Sequence, residues 1–148
     1  MAEANKLLKE DVRVTSQWSG EYGKLFTPQN RQQFPSNRES FRSSGERLVR
    51  LLNESSKLNE EAAGKMDQAA RLVSSDNEKK GLTVLTASIR KSIEINNLFK
   101  EQALLASDLG IKDQKIFNEK FLNLMSFIQQ KSKERDDQQA EGKKLLGW

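Results

Sequence analysis

Apolar side chains recur three and four positions apart through most of this chain, the spacing of one face of an α-helix. Between Ala4 and Phe26, the residues Leu7, Val14, Trp18, Tyr22 and Leu25 share such a face, with Leu8 and Phe26 beside it, and predict a helix over about 4–26. Val12, Val14, Thr15, Gly20 and Gly23 are weak helix formers, so this element has the least local support. Residues 27–36, TPQNRQQFPS, read as a loop.

Ser36 and Glu39 have the spacing of a capping box. Beyond them Phe41, Gly45, Leu48, Leu52, Ser55, Asn59, Ala62, Met66, Ala69 and Val73 predict a second helix over about 37–74. Ser75 and Glu78 repeat the cap at the head of a third helix, about 77–109, with Gly110 placed for a left-handed C-cap. This third helix carries two stripes. Leu82, Leu85, Ile89, Ile93, Phe99, Ala103 and Leu104 form one; Val84, Ile95, Leu98, Leu105 and Leu109 form the other, which calls for two sets of neighbours.

Asp113 caps a fourth helix, about 114–140, whose Ile116, Phe117, Phe121, Leu124, Met125, Phe127 and Ile128 make a dense apolar face. That face stops at Ile128. Residues 129–143 offer Ala140 as their only apolar side chain, so the polar segment 129–148 is expected to project from the fold or to be mobile. Short connections between the last three helices make them antiparallel neighbours. The expectation is a single all-α domain over 1–148, an up-and-down antiparallel bundle of four helices with the second and third longest.

Composition agrees with stripes rather than a thick globule: 35% of residues are apolar against 31% charged. Eight glycines and two prolines are too few for the turns of an all-β sandwich. The net charge of +4 is spread as +1, 0, +1 and +2 over residues 1–36, 37–76, 77–110 and 111–148, a mixed surface with no basic half. No apolar run reaches a membrane span and residues 1–14 lack a signal-peptide core, so the expected setting is soluble: cytoplasmic, or an exported domain without its signal.

The absences narrow the chemistry further. Without cysteine there is no disulfide, thiol nucleophile or thiolate-held metal, and without histidine the commonest general base and the imidazole ligands are gone. No cofactor and no catalytic or metal residue is therefore assigned, and the chain is expected not to be an enzyme. The pairs Glu60–Glu61 and Asp136–Asp137 diverge by about 100° on a helix and cannot share a substrate. Trp18-Ser19-Gly20 resembles the WxG element of a family of small secreted helical hairpins. The match covers three residues, and Trp18 lies within a helical stripe, where core packing is the expected role.

Three groups of residues could carry binding. Ser55 and Asn59 on the second helix, with Ser92 and Asn96 on the third, lie at comparable depth if those helices are antiparallel; such a polar layer would set helix register or floor a small-ligand pocket. Arg31, Phe34, Arg38 and Arg42 mix arginine with aromatic residues, as single-stranded nucleic acid requires, or else plug one end of the bundle. Leu145, Leu146 and Trp148 stand beyond a polar stretch, placed to dock on a partner or to fold back. The expected function is a non-enzymatic adaptor, scaffold or assembly subunit acting through helix–helix contacts with another protein or a second copy. A small-molecule sensor or carrier is the alternative, and nucleic-acid binding stands behind both.

Overall fold

The computed structural model describes residues 1–148 and is all-α, with no strand. Its helices are α1 (Ala2–Leu25), α2 (Pro28–Gln33), α3 (Arg42–Leu72), α4 (Asp76–Ser107) and α5 (Gln114–Leu146), with a 3₁₀ turn at Arg38–Phe41. No helix is long and apolar enough to cross a membrane.

Local chemistry accounts for most helix starts. The Ser75 hydroxyl accepts the Glu78 backbone N–H at 3.4 Å, and the Asp113 carboxylate accepts that of Lys115 at 2.7 Å. Within the stretch expected to be a loop, Thr27 accepts from the Asn30 N–H and Pro28 occupies the first turn, which is enough to form the six-residue α2. Two expected caps are absent. Ser36 donates its hydroxyl to the Gln33 carbonyl instead of capping a helix, so α3 begins only at Arg42, after the 3₁₀ turn. Gly110 is not a left-handed cap, because α4 ends at Ser107 and the Asp108 carboxylate takes up the Gly110 N–H at 2.8 Å. The left-handed glycine is Gly147, φ 70°, closing α5.

The packing order is α1 on α3, α3 on α4, and α4 on α5. In α1 and α3, Glu3 meets Lys65 at 2.7 Å and Glu21 meets Arg47 at 3.6 Å. In α3 and α4, Asp67 meets Arg90 at 2.7 Å and Asn53 meets Lys100 at 2.9 Å. In each couple, contacts that advance along one helix retreat along the other. Helix α4 thus has the two sets of neighbours its two stripes require.

Two apolar clusters fill the interior. One gathers Val14, Trp18, Leu25, Phe26, Phe34, Leu48, Leu52, Phe117 and Phe121 with small residues between them. Its rings form a connected chain: Trp18 on Phe99 at 4.9 Å, Phe99 on Tyr22 at 5.0 Å, Tyr22 on Phe26 at 4.9 Å, and Phe26 on Phe121 at 5.1 Å. Gln102, fully buried, ties this end together by accepting the Tyr22 hydroxyl at 2.8 Å and donating to the Phe121 carbonyl at 3.2 Å. The second cluster, at the other end, is built from smaller residues: Ala4, Ala63, Met66, Ala70, Leu82, Leu85 and Ile89.

Helix α5 does not fray where its apolar face stops. It continues to Leu146, past the expected limit near 140, and two kinds of contact hold it there. Lys91 and Glu94 of α4 interlock with Lys131 and Glu134 of α5: Lys91 meets Glu134 at 3.3 Å and Lys131 meets Glu94 at 3.0 Å. The Lys131 ammonium, above all, holds the Glu94 carboxyl below its usual range. Further along, Gly142 is buried against Gly81. A Cβ on Gly142 would lie 2.7 Å from the Leu85 side chain and 3.1 Å from the Gly81 carbonyl oxygen, and one on Gly81 would lie 2.8 Å from Leu146. A count of apolar side chains misses this contact because the packing surface is bare backbone.

Replacing Gly142 with valine is expected to destabilise the chain by about 1–3 kcal/mol in denaturant unfolding, with faster hydrogen exchange over residues 129–146. Gly64→Ala, where a Cβ meets nothing within 4 Å, is expected to stabilise by about 0.5–1 kcal/mol. Equal effects at the two positions would contradict the close approach of α4 and α5.

Candidate functional site

The polar layer forms between the two apolar clusters. Asn96 donates to the Ser55 hydroxyl oxygen at 2.9 Å and to Ser56 at 3.3 Å, while Asn59 donates to the Ser55 carbonyl at 2.9 Å. Ser55 in turn donates to the Asp11 carboxylate of α1, which stands between Leu7 and Val14 on the helix's own stripe. Ser92 lies at the edge of the layer and back-bonds to the Ser88 carbonyl at 3.5 Å. Of the four residues singled out, Ser55, Asn59 and Asn96 are buried and directly joined; Ser92 is half-buried and joins only as part of the lining.

This layer is also the floor of a groove. Helices α1 and α5 converge where Phe26 meets Phe121, but between the two clusters they stand apart as opposite walls. The opening, about 470 Å³, has Asp11, Val12, Thr15 and Trp18 on the α1 side and Ser132, Arg135 and Gln139 on the α5 side. Its size falls within the range of small-molecule sites, about 300–1,000 Å³.

The arginine and aromatic group is only partly brought together: Arg38 and Arg42 line one open groove with Phe41 and Arg50, and Arg31 and Phe34 lie outside it. Phe34 is fully buried in the aromatic cluster, 5.2 Å from the ring of Phe117, and offers no stacking surface. Arg31 lies 5.3 Å from the centre of the Phe121 ring. Arg38 donates to the carbonyls of Asp108 and Ile111, tying the first connection to the end of α4, and Arg42 pairs with Glu46 one turn on. These side chains serve mainly to close one end of the fold.

The C-terminal residues divide in the same way. Leu146 packs on Gly81 and the small-residue cluster, Leu145 is half-buried, and Trp148 stays 65% exposed.

A further surface lies on the outer side of α4 and α5. Leu104 and Leu105 of α4 face Leu124 of α5 across a second groove of about 560 Å³, edged by Glu101, Asp108 and Lys120. Phe127 and Ile116 continue the α5 side at helical spacing and are 56% and 46% exposed, as Leu104 is at 56%. The signal was present in the two stripes of the third predicted helix, which hold Leu104 and Leu105, and in the dense face of the fourth, but which of those residues would remain uncovered depended on the packing.

No cluster of three acidic side chains is arranged to hold a metal ion. The chain matches no known family model, no curated protein and no solved structure.

Two consequences of this geometry are measurable. Arg38→Ala is expected to cost about 1–3 kcal/mol, since it leaves two carbonyls without their charged donor, whereas Arg42→Ala should change stability by less than about 0.5 kcal/mol. Comparable losses would show that Arg38 does not hold the α4 end. Tyr22 is the only tyrosine. Burial pushes its phenol from 10.0 up to about 12, against the charge of Arg31 and the bond to Gln102, which act the other way. The folded state therefore holds this proton more tightly than the unfolded chain. Its contribution to stability is whole below pH 10 and is lost as the pH rises from 10 toward about 12. Absorbance titration should show no tyrosinate until near that upper value or until unfolding; ionisation near 10 in the folded chain would contradict the burial.

Proposed function

We propose that this chain is a non-enzymatic adaptor, scaffold or assembly subunit, an antiparallel up-and-down bundle of four long helices that binds a further helix on the outer face of α4 and α5. The observation that carries this reading is the shared exposure of Leu104, Ile116 and Phe127 around the groove lined by Leu105 and Leu124. Apolar residues that line one groove between two parallel ridges offer the surface an amphipathic helix recognises, anchored at positions three and four apart. Glu101 and Asp108 on one edge and Lys120 on the other would select the charges flanking that helix. Such a role needs none of the groups the sequence lacks.

The most direct occupant is the same face of a second copy, which makes a self-complementary contact of the kind common in dimers. Sedimentation across a dilution series should therefore show a dimer at high concentration that the double variant Leu104→Glu, Phe127→Glu returns to monomer. Because both side chains are more than half exposed, that variant should keep its helical circular dichroism and nearly all its stability. A wild-type chain that is monomeric throughout, or a dimer indifferent to both substitutions, would remove the support for this face.

A further inference from the structure

The floor of the groove between α1 and α5 has spent its protons. The Ser55 hydroxyl donates to Asp11, the Ser88 hydroxyl to the Leu85 carbonyl at 2.8 Å, and the Ser92 hydroxyl to the Ser88 carbonyl. Both carboxamide NH₂ groups, of Asn59 and Asn96, are likewise turned onto serine oxygens or backbone. The oxygens are left over: neither carboxamide oxygen accepts a bond within the chain, and Asp11 accepts only from Ser55. What the floor shows to the groove is therefore a set of acceptors, a carboxylate and two amide oxygens, and it requires a donor-rich guest.

Charge points the same way. Asp11 and Arg135 are the charged residues lining the groove. Arg135 pairs with its own neighbour Asp136 at 2.7 Å, whereas Asp11 forms no ion pair. Trp18 and Phe99 close the apolar end of the groove.

We propose that this groove binds a small organic ammonium compound, its N–H donors on Asp11, Asn59 and Asn96 and its apolar part against Trp18 and Phe99. The site is on a different face from the α4–α5 docking surface and stands or falls independently of it.

The two tryptophans make the test specific, since Trp18 lines the groove and Trp148 lies exposed at the far end of α5. In ¹H–¹⁵N spectra of the full chain, 1-aminobutane and 1,4-diaminobutane should shift the Trp18 indole saturably and leave that of Trp148 in place. The size-matched 1-butanol and butanoate should shift neither indole saturably. Asp11→Asn, with helicity checked by circular dichroism, should weaken amine binding about tenfold or more, and Asp137→Asn, at an exposed carboxylate outside the groove, should leave it intact. The proposal is overturned if no amine gives a saturable shift, if butanol or butanoate acts as strongly, if both indoles respond alike, or if the folded Asp11→Asn variant binds as well as the wild type. Should Asp11→Asn fail to fold, the contrast between amine, alcohol and carboxylate in the wild-type chain still decides.

Discussion

Everything in this fold hangs on α4 having two apolar faces and only one axis on which to bury them. With α3 on one face and α5 on the other, most of both stripes is covered while Leu104 and Leu109 stay in solvent, and α1 is then free to lie on the remaining flank of α3. A helix with a single stripe could have closed a tight, symmetric core. A two-faced helix makes a layered arrangement instead, in which α1 and α5 meet through side chains at the ends and leave space between them.

The chemistry that holds the layers changes from end to end. At one end, large rings and a buried Gln102 fill a wide gap, and the Arg38 guanidinium gathers the carbonyls where α4 stops. At the other, alanines and a glycine pair bring the helices close, and no ring is needed. Between these regimes the spacing suits neither bulky nor minimal side chains, and Ser55, Asn59 and Asn96 bridge it with hydrogen bonds. Buried polar groups of this kind must find partners or lose several kcal/mol, so the layer also penalises any slip in helix register. Asp11 extends the same network to α1 and gives the element with the weakest intrinsic helix preference a specific anchor.

The two surfaces with binding character follow from this geometry. The outer face of α4 and α5 keeps leucine and phenylalanine in solvent because no fifth long helix covers it. The groove between α1 and α5 keeps oxygen acceptors facing inward because the floor's protons are committed to holding the helices together. One surface is apolar and open; the other sets a polar floor among apolar side chains such as Trp18, Ile95 and Phe99. Neither requires a nucleophile, a general base or a metal.

Fold class, the four long helices, the caps at Ser75 and Asp113, and the polar positions 55, 59 and 96 were legible in the amino-acid order, because each is set by spacing along one helix or by a side chain reaching its own backbone. The exclusion of histidine and cysteine chemistry was equally direct. Tertiary structure alone decided what depended on distances between helices. It carried α5 to Leu146, since the Gly81–Gly142 approach and the interlocked charges of residues 91, 94, 131 and 134 have no apolar signature. It drew Phe34 into the core and turned Arg38 onto carbonyls, where the sequence left both a stacking patch and a plugged bundle end open. It gave Asp11, a polar position on the apolar stripe of α1, a partner in Ser55 of another helix. Periodicity reports which way a side chain points from its own helix; whether anything stands opposite is a property of the assembled layers.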